Sequence, residues 1–146
     1  MSIEREGKEK ECIKVGVEAF IIADDKLLLG KRKNVPGDGE WGLPGGHLEL
    51  GETLSECMKR ELQEELGIQA RDFKLVALDN NPKNIGGHYI HIGFLVGNFD
   101  GSIALKEPEK CEEWRFFPID NLPENIFSAH RKEIELFKKG LIYEGS

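Results

Sequence analysis

Glu61, Glu64 and Glu65 stand at i, i+3 and i+4, the spacing that brings side chains to neighbouring positions on one helix surface. Such a group repels itself, and burying a core does not require it, so a cation is expected to relieve the repulsion. Clustered carboxylate oxygens suit hard divalent ions, with Mg²⁺ the first expectation and Mn²⁺ the alternative. Mg²⁺ is held by a few carboxylates together with waters and substrate phosphates. Just upstream, Gly45-Gly46 lets main chain approach closely, so a glycine carbonyl can face the same ion. Composition alone leaves a second reading open, because a Glu-rich helix behind a Gly-rich entry is also an ordinary solvated surface helix.

The helix that must position these acids has clear ends. Thr53 can cap its first turn and Glu56 can return the bond, while Gly67 suits a left-handed C-cap. Between them Leu54, Met58, Leu62 and Leu66 form one apolar stripe, and Ser55, Glu56, Lys59 and Gln63 face water. Before it, Val15 to Ala23 and Leu27 to Leu29 flank Asp24-Asp25 and predict a β-hairpin. Trp41 to Gly46 reads as a strand fragment behind a loop over 34–40. Phe73 to Leu78, His88 to Val96 and Trp114 to Phe117 read as strands, with Asn80 to Gly87 a turn-rich loop. A second helix is expected over Ser128 to Lys139, ended by Gly140. Strands interleaved with helices give an α/β or α+β layered domain.

The chain has 146 residues, of which 39% are hydrophobic and 32% charged. This length fits one domain, 1–146, with flexible ends at 1–12 and 144–146. The formal charge of −7 argues against sequence-blind binding to a nucleic-acid polymer, which relies on basic residues. No stretch approaches the about 20 apolar residues of a membrane span, and the polar start lacks a secretory core, so a cytoplasmic protein is expected. Cys12, Cys57 and Cys111 are odd in number and lack C-x-x-C spacing, so neither a disulfide framework nor a zinc site is implied.

Spacing decides what composition leaves open. Gly46, then Glu52 after five residues, then Arg60-Glu61-Leu62-Gln63-Glu64-Glu65-Leu66-Gly67-Ile68 after seven more, resembles the complete signature of the Nudix hydrolases. The resemblance implies a mixed sheet sandwiched between helices (α/β/α) and hydrolysis of a diphosphate linked to a nucleoside. It also implies that Glu61, Glu64 and Glu65 with the Gly45 carbonyl bind metal, and that Glu52 and Arg60 pair to hold the loop on the helix. Metals bridging phosphate oxygens neutralise charge as the bond breaks, and a carboxylate beside them can accept a proton from water. Glu61 is the expected base, with Glu109 in the loop 107–114 as rival base or extra metal ligand.

Further patches, Gly30-Lys31-Arg32-Lys33, Trp41 to Glu49, His88-Tyr89-Ile90 and Glu109-Lys110 before Trp114, resemble the MutT-related branch, whose members split (d)NTPs to (d)NMP and pyrophosphate. On this reading Arg32 offers a guanidinium fork to phosphate, and Gly46 and His47 face substrate. Trp41, Phe20 and Phe94 are the aromatic candidates to stack on a base, and His88 and His91 are not assigned as ligands. The alternatives are an ADP-ribose or nucleotide-sugar pyrophosphatase and a non-catalytic nucleotide-binding module, against which the intact glutamates speak. A homodimer is a further expectation that the resemblance carries.

Overall fold

A computed structural model describes residues 11–145, so most of the expected loose ends, 1–12 and 144–146, lies outside the described residues. The chain begins with β1 (Lys14–Phe20), β2 (Ile22–Ala23) and β3 (Lys26–Arg32), followed by β4 (Trp41–Gly42) and β5 (Gly45–His47). Helix α1 (Leu54–Leu66) leads to β6 (Gln69–Ala70), β7 (Phe73–Asn84) and β8 (Gly87–Val96). The remainder is β9 (Phe99–Asp100), β10 (Cys111–Pro118) and α2 (Ser128–Lys139). No helix among the described residues is long and apolar enough to cross a membrane.

A mixed sheet runs β5-β1-β8-β7, with β1 parallel to β8 and antiparallel to β5. Alternation along β1 sends Val17 and Ala19 to one face and Gly16, Glu18 and Phe20 to the other. Val17 and Ala19 join a core with Cys57, Met58, Leu62 and Leu66 of α1. Phe20 joins a second core with Ile134 and Leu136 of α2. The helices therefore cover opposite faces, the mixed α+β sandwich that the sequence implies. Burying Met58, Leu62 and Leu66 completely is worth roughly 1.5–3 kcal/mol for each side chain, which fixes α1 against β1.

A second sheet, β10-β3-β2 with β4 on β3, supplies the remaining wall. The expected hairpin is confined to β2 and β3, joined through Asp24 and Asp25 at φ 51 and 59, the left-handed pair of a tight hairpin turn. The chain breaks after Phe20, and β1 goes to β8 instead of β3. Trp41 to Gly46 is likewise divided: β4 pairs with β3 and β5 with β1, with Leu43-Pro44 between them. The expected loop 80–87 is strand to within two residues of its tip, because Asn84 pairs with Gly87 across Ile85-Gly86. Its polar residues and Pro82 are tolerated because β7 is an edge strand. The β6–β9 ribbon is too short to carry a sequence pattern.

Candidate active site

Local chemistry sets α1 in place. Thr53 Oγ1 accepts the Glu56 N–H at 3.1 Å, and the Glu56 carboxylate accepts the Thr53 N–H at 2.8 Å. Gly67 closes the helix at φ 73. Held this way, α1 presents Glu61 and Glu65 to β5. Gly45 donates its N–H to Glu65 Oε1 at 2.8 Å. A Cβ on Gly45 would meet the Val17 carbonyl at 2.1 Å, and one on Gly46 would meet Glu61 Cδ at 2.3 Å. Gly45 is therefore required by the close approach of β5 to the β1 backbone, and Gly46 by the close packing of β5 against Glu61.

Arg60 ties the loop to the helix. Its Nε donates to Glu52 Oε2 at 2.6 Å, and one terminal nitrogen donates to Glu52 Oε1 and to the His47 carbonyl, both at 3.0 Å. The other terminal nitrogen donates to Glu61 Oε1 at 2.6 Å and lies 3.5 Å from Glu64 Oε2. The hydrogen bond from Arg60 and the Glu49 N–H hold Glu52 down to about 2, so it stays an acceptor throughout the working range.

The cleft in front of these acids is lined by Arg32, Gly45, Gly46, His47, Arg60, Glu61, Glu64, Glu65, Glu107 and Lys110, among others. Burial first, then the charge of Glu61, pushes the Glu65 carboxyl well above its ordinary value. Burial likewise raises Glu61, against the hydrogen bond from Arg60. Hard oxygen donors whose charge is penalised by desolvation and by each other suit a divalent cation. Glu64 is half exposed at the cleft's edge. Glu109 does not line the cleft; its loop brings Glu107 there instead, while the Glu109 carbonyl accepts from Asn34 Nδ2 at 3.2 Å. Of the acids in this loop, Glu107 is the one that borders the cleft.

Arg32 lines both this cleft and a neighbouring cavity of about 260 Å³. Its guanidinium lies 3.9 Å over the Phe127 ring, and its Nε donates to the Pro36 carbonyl at 2.6 Å. His47 also borders both spaces, with Nε2 2.9 Å from the Tyr89 hydroxyl. Gly45 and Gly46 complete the shared border. The cavity's aromatic walls are Tyr89 and Phe127. Phe20 and Trp41 are instead buried in the α2 core, and Phe94 packs against the α1 core.

Glu18, His91 and His130 line the cavity floor with Glu133 fully buried beside them; sequence reasoning left His91 unassigned as a ligand and singled out none of the other three. Glu18, His91, His130 and Glu133 bring one ligand atom each within 4.8 Å of one another. Burial would raise Glu18, but the His91 hydrogen bond with the charges of His130 and His91 brings it below its ordinary value. Burial, then Glu18, drives Glu133 well above its own, and burial holds His130 down to about 4. The four come from β1, β8 and α2, so only alternation in β1 and β8, placing Glu18 and His91 on one face, could have hinted at the meeting.

Comparison with known proteins agrees with this geometry. Residues 13–137 match the model of the NUDIX domain family. The chain is 38% identical over 122 residues to an ADP-ribose pyrophosphatase of Methanocaldococcus jannaschii, covering 83% of this chain and 70% of the relative. It is 32% identical to a CTP pyrophosphohydrolase of Escherichia coli, covering 71% and 83%. The crystal structure of a MutT NUDIX hydrolase from Burkholderia pseudomallei superposes with a TM-score of 0.80 at 34% identity, covering 86% of this chain and 98% of that one. A cleft of carboxylates built on a complete signature, in this sandwich and with these relatives, places the chain in the Nudix hydrolase family.

Proposed function

We propose that the chain is a divalent-metal-dependent pyrophosphohydrolase acting on (d)NTPs, releasing (d)NMP and pyrophosphate. The observation that carries the proposal is the continuity of the acid cleft with a nucleoside-sized cavity across Gly45, Gly46 and His47. A nucleoside in the cavity would extend its phosphates over α1. Glu61, Glu64, Glu65 and the Gly45 carbonyl would hold the cation, with Glu107 in reach of the same cleft. When bound, Mg²⁺ or Mn²⁺ supplies Lewis-acid neutralisation of the diphosphate oxygens.

The chain's own residues do the rest. Arg32, flattened on Phe127, offers its remaining N–H groups to a phosphate oxygen. Arg60 keeps Glu61 oriented and, through Glu52 and the His47 carbonyl, keeps β5 at the helix. Glu61, whose proton affinity burial raises, is placed to take a proton from the attacking water, and Glu107 is the other acid placed to do so. Tyr89 orients the His47 ring at the boundary between cavity and cleft.

ADP-ribose is the second reading. It is favoured by the 38% identity to the archaeal ADP-ribose pyrophosphatase. An open groove past His47 and Glu49, lined by Lys14, Val15, Leu48 and Leu50, offers room for a group on the far side of the diphosphate. The test is Mg²⁺-dependent hydrolysis of (d)NTPs, ADP-ribose and nucleotide sugars, with products separated by chromatography. Monophosphate and pyrophosphate from a triphosphate support the first reading. A higher kcat/KM for ADP-ribose replaces it with the second, and no hydrolysis of any of them overturns both.

A further inference from the structure

The cluster under the cavity has a hydrogen-bond polarity that says what it is for. Asn84 Oδ1 accepts from Asn81 Nδ2 at 3.1 Å, and Asn84 Nδ2 donates to the Ile85 carbonyl at 2.7 Å. The amide is therefore oriented, and His91 Nε2, 3.0 Å from Asn84 Oδ1, must donate. On its other side His91 Nδ1 lies 3.0 Å from Glu18 Oε1. The Leu43 N–H donates to His130 Nδ1 at 3.0 Å, so the proton of a neutral His130 sits on Nε2, 3.8 Å from Glu18 Oε2.

Glu133 is fully buried behind them, and as a carboxylate it has no hydrogen-bond partner among the described residues. A histidine that ligates metal presents a bare nitrogen to the ion and donates from the other; His130 is arranged the opposite way. The cluster is built around one carboxylate, Glu18: His91, donating from both nitrogens as an imidazolium, hydrogen-bonds it at 3.0 Å, and His130 Nε2 stands off at 3.8 Å. One histidine hydrogen bond leaves acceptor capacity on its two oxygens, which offer about four lone-pair sites.

That capacity faces the cavity. Gly16 lines the cavity beside Glu18, and a Cβ there would stand 2.9 Å from Glu18 Oε2, so the bare glycine leaves this edge open. Tyr89 and Phe127 wall the same space, which suits a flat heteroaromatic ring. We infer that Glu18 reads the nucleobase, accepting a hydrogen bond from an exocyclic amino group, so that amino-bearing bases are preferred over their deaminated counterparts. A carbonyl oxygen in the amino position would set acceptor against acceptor at a carboxylate that is buried, leaving a polar group unpaired. The inference rests on the reading of this cavity as the nucleoside site, and it applies equally to a triphosphate or to ADP-ribose.

The test compares ATP with ITP, GTP with XTP and CTP with UTP. Each pair is compared by kcat/KM with Mg²⁺, and the corresponding monophosphates by calorimetric binding without metal. The expected result is a preference of about ten- to a hundredfold for the amino partner in the pair containing the best substrate, in both readouts. Glu18→Gln, whose amide can donate to a carbonyl, narrows or reverses that preference while its thermal melt remains cooperative. If the variant does not fold, the wild-type pairs decide alone. Equal kcat/KM and Kd within every pair overturns the inference, as does an unchanged preference in folded Glu18→Gln. A stoichiometric transition metal in the purified protein, lost in Glu18→Gln, also overturns it. Selective monophosphate binding without hydrolysis of any nucleotide upholds the base reading and overturns the proposed activity.

Discussion

Placing a methyl group on Gly46 asks directly whether the position of Glu61 governs turnover. The new Cβ would lie 2.3 Å from Glu61 Cδ and 2.4 and 2.5 Å from its two oxygens, where ordinary contact begins at 3.4 Å. The carboxylate must therefore retreat by about 1 Å, away from the strand that carries the Gly45 carbonyl. Gly46 does not have a positive φ, so alanine fits the backbone and the β5–β1 pairing survives. A misplacement of about 1 Å costs on the order of a hundredfold in rate, or about 2.7 kcal/mol in the barrier. The cost in stability is small, under about 1 kcal/mol, because only a side-chain end moves. Gly51→Ala is the control: its φ is 84 and nothing lies within 4 Å of its Cβ, so it loses about 1 kcal/mol of stability to backbone strain and keeps its turnover. The assay is kcat with saturating Mg²⁺ beside urea unfolding. A folded Gly46→Ala enzyme within about threefold of wild type would refute the assignment of Glu61.

The acids of α1 should also separate by face: Glu64→Gln lowers kcat by orders of magnitude with an unchanged melt, whereas Glu56→Gln, which can keep the capping box, is nearly silent in kcat. In the loop before β10, Glu107→Gln should reduce kcat by about tenfold or more and Glu109→Gln should not; steady-state kinetics showing the reverse would restore Glu109 as the extra acid. His130 gives a pH signature. Its folded value of about 4 lies below that of a free imidazole, so between pH 6.5 and 4 the unfolded chain takes up a proton that the folded one refuses. Its stabilisation is full above pH 6.5 and is lost as pH falls through that window, by about 3 kcal/mol in total. His130→Asn, whose Oδ1 can accept the Leu43 N–H, should show a shallower fall in urea midpoint between pH 7 and pH 4.5; an identical fall would mean that the imidazole is not held neutral.

The parts of the site that lie close together in the chain are legible in the sequence, because their chemistry and their spacing coincide. The capping box at Thr53 and Glu56, the Gly67 cap and the Glu61-Glu64-Glu65 spacing are all local, and each appears in the fold as the sequence implies. Long-range assembly is less legible. The Glu18, His91, His130 and Glu133 cluster depends on β1 running parallel to β8 and on α2 covering that face, none of which a local pattern encodes. The extension of β7 through Pro82 reflects its edge position, which overrides the turn chemistry of its polar residues. Glu107 and Glu109 share one acidic loop, and only the path of the chain toward β10 distinguishes which of them faces α1.

The most direct measurement is a Mn²⁺ titration followed by electron paramagnetic resonance in wild type, Glu65→Gln and Glu18→Gln. The amide oxygen introduced by Glu65→Gln can still accept the Gly45 N–H, so the fold around β5 is preserved while one charge of the cleft is removed. Binding weakened by about tenfold or more in Glu65→Gln and unchanged in folded Glu18→Gln is the predicted result. Binding that survives Glu65→Gln and disappears in Glu18→Gln would move the metal from the signature helix to the cavity floor and contradict the account.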